Sequence, residues 1–297
     1  MEDSVTIESG NLPEQCGAEE DSVTVEVFPK KCLPLQLGIS SIIGTRDSQQ
    51  DSIFGYVDEK GALGIVCDGM GGLAGGELAS RQAVESLVDA WFSQEEIADI
   101  PEFLEKEAVK ADEKVFCQKD GNGEAMQAGT TIVAAVIQGN ELYWLSVGDS
   151  KIYIIREHEI LAVSREHNYR MTLDWKLGQG EITPEEYAAE EYRAEALISY
   201  LGIGNLSLID VNRKPFLLEE GDIVVLSSDG LYKSLTEEEI LALVRKYDRD
   251  MQICAQNLTV AALGDKQSGQ DNTSVVVLRY CRMEQEKEGL EEEDECI

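Results

Sequence analysis

Seven short runs of this chain are apolar almost throughout: residues 35–42 (LQLGISSI), 62–67 (ALGIVC), 130–138 (TTIVAAVIQ), 141–148 (ELYWLSVG), 151–156 (KIYIIR), 222–228 (DIVVLSS) and 272–280 (NTSVVVLRY). Their length and β-branched content predict strands, and runs this continuous need cover on both faces. Gly139-Asn140 separates the third run from the fourth and predicts a hairpin; with the fifth following at once, the pattern predicts a three-strand antiparallel meander. Residues 24–28 (TVEVF) alternate well enough for an extra edge strand. Elsewhere the apolar spacing lengthens to the helical period. From Gly76 to Ser93 it falls on Ala79, Ala83, Val84, Leu87, Val88 and Trp91, and a second helix starts at Pro101, a residue favoured at the first helical position. Thr183 with Glu186, and Thr236 with Glu239, are capping-box starts for helices over 183–201 and 236–247. Strand clusters interrupted by helix pairs predict an α+β layered domain.

The 297 residues are apolar and charged in ordinary globular proportions, with no repeat and no Pro/Ser linker. The charge is unusual: 58 acids against 25 bases give −33. That field repels phosphate backbones and anionic lipid, so no nucleic-acid or membrane partner is expected, whereas divalent cations suit it. Eight of the acids lie in residues 1–29, which contain no base, and eight in 284–297 beside Lys287; between them 42 acids and 24 bases leave −18. The domain is therefore placed at 30–283, with acidic, solvated extensions at either end. Seven scattered cysteines without a C-x-x-C pair read as reduced thiols, and the acidic N-terminus lacks the basic start of a signal peptide. A soluble, cytoplasmic, monomeric protein is expected. His158 and His167 are the only histidines, too few for a zinc centre of several imidazoles, and no cysteine opens a C-x5-R loop.

The chemistry concentrates in aspartates near the ends of apolar runs: Asp68 in GIVCDGMGG, Asp149 in LYWLSVGDS and Asp229 in DIVVLSSDG, with Asp51 and Asp271 at or before strand starts. Convergent carboxylates without His or Cys make a hard-oxygen site, suited to Mg²⁺ or Mn²⁺. Each alone is a common turn residue, since D-G is a turn dipeptide. The glycines form no phosphate loop, because GNGEAMQAGTT lacks the lysine that such a loop requires.

The ordered series changes the odds. R-x-x-x-x-D (Arg46 to Asp51), DGMGG (Asp68 to Gly72), GTT (Gly129 to Thr131), VGDS (Val147 to Ser150), SSDG (Ser227 to Gly230) and DN (Asp271-Asn272) closely resemble the metal-dependent protein phosphatases of type 2C, the PPM family, in their bacterial form. The resemblance runs from about Leu35 to Tyr280. It implies a four-layer α-β-β-α sandwich of two antiparallel sheets flanked by helix pairs, with the site at one edge. It also implies a serine/threonine protein phosphatase that hydrolyses phosphoserine and phosphothreonine esters with a metal-activated water. Its cofactors would be two core Mg²⁺ or Mn²⁺ ions and a weaker third.

By the same resemblance Asp68 would bridge two ions, Gly69 would offer its carbonyl, Asp229 and Asp271 would complete one ligand set, and Asp51 would act through a bound water beside Gln50. Asp149 would take the weaker third ion, and Arg46 would grip the substrate phosphate. Gln49 stands where relatives usually have Asn, Met70 stands where some eukaryotic relatives have His, and His167 is expected to be structural. Residues 168–201 occupy the position of a mobile flap beside the cleft. Phosphorylated proteins are the expected partners, with a serine/threonine kinase acting in opposition. A catalytically silent binding module on the same fold is the alternative, disfavoured because all five aspartates are present.

Overall fold

The computed structural model describes residues 35–71, 75–119, 122–264 and 269–281. Strands β1 (Leu35–Ile42), β2 (Asp51–Val57) and β3 (Ala62–Gly71) precede helices α1 (Gly75–Phe92) and α2 (Ile100–Phe116). Five strands follow: β4 (Ala128–Thr130), β5 (Ile132–Gln138), β6 (Glu141–Val147), β7 (Lys151–Arg156) and β8 (Glu159–Ala162). After α3 (Tyr169–Gln179) and α4 (Pro184–Glu190) come the short strands β9 (Asp210–Val211) and β10 (Phe216–Leu217). The chain ends with β11 (Ile223–Ser227), α5 (Asp229–Tyr232), α6 (Glu237–Lys246), α7 (Met251–Leu263) and β12 (Thr273–Tyr280).

One sheet runs β1-β12-β11-β7-β8 and the other β10-β6-β5-β3-β2, all neighbours antiparallel, with β4 added to β3 and β9 to β6. Alternation within strands explains why they read as wholly apolar. Along β3, Leu63, Ile65 and Cys67 pack under α1 and α2, while Ala62 and Val66 point into the layer between the sheets. Along β12, Val276 and Leu278 face that layer, whereas Val275 and Val277 pack beneath α6 and α7. Three apolar layers thus separate four layers of secondary structure, the expected α-β-β-α sandwich. Close packing of the layers even requires Gly38, whose missing Cβ would lie 1.9 Å from the Met251 carbonyl oxygen on α7.

The structure departs from the sequence pattern in three places. The β5–β6 hairpin forms at Gly139-Asn140, but β7 does not continue a meander. At Gly148 (φ +104°) the chain leaves its sheet, and β7 pairs with β11 in the other one. The capping box at Thr183 and Glu186 is present, yet its helix stops at Glu190 and gives way to a 3₁₀ turn. No residue of α4 is buried, and a short helix without a packed face has little to extend it. Helix α7 has no polar stripe: Ile253 and Val260 are exposed apolar residues on it, so its pattern carries no amphipathic signal. The predicted strand at 24–28 and both acidic extensions lie outside the described residues. Among those described, Cys67, Cys117, Cys254 and Cys281 are free thiols, and no helix is long and apolar enough to cross a membrane.

Candidate active site

Four chain segments meet at one edge of the sandwich because each is tied to its neighbours through the backbone. Asn272, just before β12, accepts from the Gln50 amide (2.8 Å) and donates to the carbonyls of Ile43 (2.9 Å) and Ser48 (3.1 Å). One buried side chain therefore fixes the loop that carries Arg46. Asp51 then opens β2 directly opposite Asp68 on β3. The GTT segment makes the next tie. Thr131 Oγ1 accepts from the Asp68 amide (3.0 Å) and shares a hydrogen bond with Ser150 Oγ (2.7 Å), which joins DGMGG to VGDS. Gly148 is required here, since a Cβ would lie 2.6 Å from the Thr131 methyl. On the far side, Gly230 lies so close to Asn272 that a Cβ would come within 2.1 Å of its carbonyl oxygen, and this approach holds Asp229 beside Asp271.

These segments enclose a cleft of about 330 Å³ whose wall includes Arg46, Asp68, Gly69, Asp149, Asp229, Lys233 and Asp271. Glu195 and Leu197, from the 168–201 segment, close another side. Asp51 is not part of the wall: it is buried behind the cleft, with Oδ2 accepting from Ser228 Oγ at 2.8 Å. His167 is buried too, and its Nδ1 accepts from the Gly148 amide (3.3 Å), so it supports the VGDS turn from outside the cleft. Gln49 bridges the Asp51 amide (3.1 Å) and Ser41 Oγ (2.8 Å), showing that the longer amide still packs the Arg46 loop.

The assembled carboxylates repel one another. Burial and the charges of Asp51, Asp229, Asp149 and Asp271 hold the Asp68 carboxyl well above its ordinary range. Burial pushes Asp149 up to about 6, with Asp229 adding to the shift and Lys233 opposing it. Asp51 rises to about 7, again chiefly through burial, against hydrogen bonds from Ser274 and Ser228 that lower it. Two basic side chains relieve part of this. Arg46 Nη2 contacts Asp271 Oδ2, and Lys233 Nζ contacts Asp229 Oδ2, each at 2.5 Å. Lys233 had no distinguishing mark in the sequence beyond its place four residues after Asp229, one helical turn away.

With the carboxylates so engaged, no three His, Cys, Asp or Glu side chains among the described residues are gathered as a ready-made ligand set. The donors nevertheless fit a hard divalent cation. All are oxygens, and two, Asp51 Oδ1 and Asp229 Oδ1, are buried with no hydrogen-bond partner among the described residues. A buried, unsatisfied carboxylate oxygen is costly unless something positive completes it.

Comparison with known proteins agrees with this geometry. Residues 40–265 match the sequence profile of the family described as "Protein phosphatase 2C". The chain is 29% identical over 237 residues to protein phosphatase PhpP of Streptococcus pneumoniae, covering 78% of this chain and 92% of that one. Its fold superposes on the S. agalactiae serine/threonine phosphatase with a TM-score of 0.70 at 27% identity, covering 84% of this chain and all of the other. A PstP serine/threonine phosphatase catalytic domain, solved in complex with two manganese ions, superposes with a TM-score of 0.65, also at 27% identity, over 84% of this chain and 99% of that one. With a profile match across most of its length and the family's six motifs gathered around one acidic cleft, this chain belongs to the protein phosphatase 2C family.

Proposed function

We propose that the protein hydrolyses phosphoserine and phosphothreonine esters of phosphorylated proteins, with Mg²⁺ or Mn²⁺ held by Asp68, Asp229, Asp271 and the Gly69 carbonyl. Asp149 is available to a weaker third ion, and Asp51 supports the set from behind. The observation that carries this reading is the convergence of Asp68, Asp149, Asp229, Asp271 and Arg46 on a single cleft, where Asp229 Oδ1 is buried without a hydrogen-bond partner among the described residues. When bound, the cations supply Lewis acidity, screening the phosphoryl oxygens and lowering the pKa of the attacking water.

The chain's own residues then have distinct tasks. Arg46 is 58% exposed and, among the described residues, its side chain is held to Asp271 alone, so its planar guanidinium can turn to a phosphate and bind it bidentately. Asp68, fixed by the Thr131 hydroxyl through its amide, sets the floor of the cleft. Without cations the wall carries five carboxyl groups, Glu195 among them, against Arg46 and Lys233, a balance that repels a phosphate dianion. Covalent catalysis by a thiolate does not fit. Cys67 is the nearest cysteine in sequence to the site, and burial, with Asp51 and Asp68 beside it, drives its thiol well above the ordinary value. The −33 charge supports a protein substrate over nucleic acid or an anionic membrane surface, and we place the enzyme in the cytoplasm as a monomer opposing a serine/threonine kinase. The phosphatase domain is taken as 30–283, flanked by the acidic segments 1–29 and 284–297.

Phosphate release from a phosphothreonine peptide, measured in EDTA and then with Mn²⁺, tests the reading. Turnover is expected only with the metal, and not in Asp68→Asn. Turnover unaffected by EDTA, or absent with every divalent ion, would overturn it.

A further inference from the structure

Lys233 lies in the catalytic cleft without a role in the activity described so far. It follows Asp229 by one helical turn, and its Nζ sits 2.5 Å from Asp229 Oδ2, while the other oxygen of the same carboxylate, Oδ1, is buried and unpartnered. The two oxygens of Asp229 are thus used differently, one by an ammonium and the other by none of the described residues. Asp149 is close by: its backbone carbonyl accepts from the hydroxyl of Tyr232, the residue beside Lys233, at 3.1 Å. Asp149, Asp229 and Lys233 all line the same wall. The ammonium therefore stands on Asp229 in a cleft that Asp149 also lines.

Resting on the phosphatase reading above, we propose that Lys233 is a built-in competitor for the cation position between Asp229 and Asp149. It compensates both carboxylates when no ion is there, and it must leave Asp229 Oδ2 before a divalent ion can use that oxygen together with Asp149. Ions that Asp68, Asp271 and Asp229 Oδ1 would hold need not displace it, and would bind without this cost. A lysine suits such a role because its ammonium is a point charge on a flexible stem, with about half of this side chain exposed. Lys233 is a positioning residue here: it acts on the ligand set and not on the phosphate.

Mn²⁺ titration of the full chain by calorimetry tests this directly, with binding as the readout and not turnover. In Lys233→Met the weakest Mn²⁺ step should tighten about tenfold or more, the size of effect expected when a charge pair of ~1.4 kcal/mol no longer has to be broken. Adding Asp149→Asn should remove that step, and Lys233→Arg, which keeps the charge, should titrate like the unmodified protein. Thermal melts in EDTA supply a second measurement. Lys233→Met should melt below the unmodified protein because its carboxylates have lost their counter-charge, and saturating Mn²⁺ should close the gap, which a purely structural lysine would not show. If every Mn²⁺ step is unchanged in Lys233→Met while the unmodified protein binds normally, this proposal alone is overturned. If the tightened step survives Asp149→Asn, the assignment of the position is wrong. An unmodified protein that binds no Mn²⁺ would overturn the phosphatase reading and this proposal together.

Discussion

Two regions face each other across the cleft and are built in opposite ways. On the sandwich edge, Asp68, Asp149, Asp229 and Asp271 project from segments whose backbones are fixed by buried side chains: Thr131, Ser150, Ser228 and Asn272. The 168–201 segment contributes Glu195 and Leu197 to the same cleft, but only its ends are fixed through the backbone. Tyr169 and Arg170 donate to the carbonyls of Ala196 and Ala194, and Ile198 donates to that of His167. Between those ends, α3 buries only Leu173 and α4 buries nothing. Surface contacts such as Arg170–Glu195 (2.7 Å) hold the rest, and exposed ion pairs of this kind contribute little to stability. Trp175 and Tyr192 are left largely exposed, at 58% and 81%. Under the proposed function, chemistry that depends on ligand geometry sits on the rigid side, and the sparsely buried side is the one offered to a phosphoprotein.

The sharpest way to break this contrast is to alter the rigid side. Asp68→Asn should lower kcat/KM at least about a hundredfold, since it removes a charge from the centre of a preorganised electrostatic site. The same change should leave the metal-free protein as stable as before or more so, because a repelled, buried carboxylate has gone. Steady-state kinetics and a melt in EDTA on one sample check both halves. Gly230→Ala asks whether rigidity itself matters. Its new methyl would meet the Asn272 carbonyl oxygen at 2.1 Å, so a loss of about 1–3 kcal/mol of stability is expected, with weaker Mn²⁺ binding as Asp229 and Asp271 are pushed apart. Denaturant melts beside Mn²⁺ titration measure it.

Arg46→Ala should raise KM about ten- to a hundredfold while Mn²⁺ affinity stays the same or tightens, if, as proposed, the guanidinium paired with Asp271 turns to the substrate phosphate. Collapse of metal affinity with KM unchanged would instead make Arg46 structural. A smaller effect concerns pH. The Asp149 carboxyl has its pKa raised to about 6 by burial, so folding favours its protonated form. Its stabilising contribution is present below the ordinary value near 4 and is lost as pH climbs through 6. In EDTA, Asp149→Asn should therefore gain melting temperature over the unmodified protein as pH rises from 5 to 8, and saturating Mn²⁺ should abolish that trend.

The smallest expected change is on the sparsely buried side. Tyr192→Ala and Trp175→Ala should leave p-nitrophenyl phosphate hydrolysis and melting temperature unaltered while shifting kcat/KM for phosphoproteins severalfold, as exposed aromatic anchors do at protein contacts. An equal loss on both substrates would erase the distinction between the two regions.

The same contrast governs what the sequence could reveal. The central strands of both sheets and the five aspartates were legible because burial on two faces forces continuous apolar runs, and because turn-forming glycines flank the acids, whereas β2, β8, β9 and β10, which carry few wholly buried residues, gave no such run. The crossing from one sheet to the other at Gly148 was not legible. Nothing local distinguishes a turn that continues a meander from one that changes sheet, and β7 goes where β11 offers an unpaired edge. Asn272 was visible only as half of a dipeptide, although its side chain holds the whole Arg46 loop; that role depends on partners more than 220 residues away in sequence. Lys233 was hidden for the opposite reason. A lysine one turn after an aspartate is common on helix surfaces, and only the fold shows that this one faces a catalytic cleft.

Asp68, Asp229 and Asp271 are proposed to gather divalent cations at this edge of the sandwich. A crystal soaked in Mn²⁺ and measured at the manganese absorption edge tests it most directly. Anomalous peaks should appear within coordination distance, about 2.0–2.3 Å, of Asp68, Asp229 and Asp271 oxygens, with Arg46 swung away from Asp271. A fully loaded crystal with peaks only elsewhere, or with Arg46 still clamped on Asp271 and the cleft free of manganese, would contradict the account.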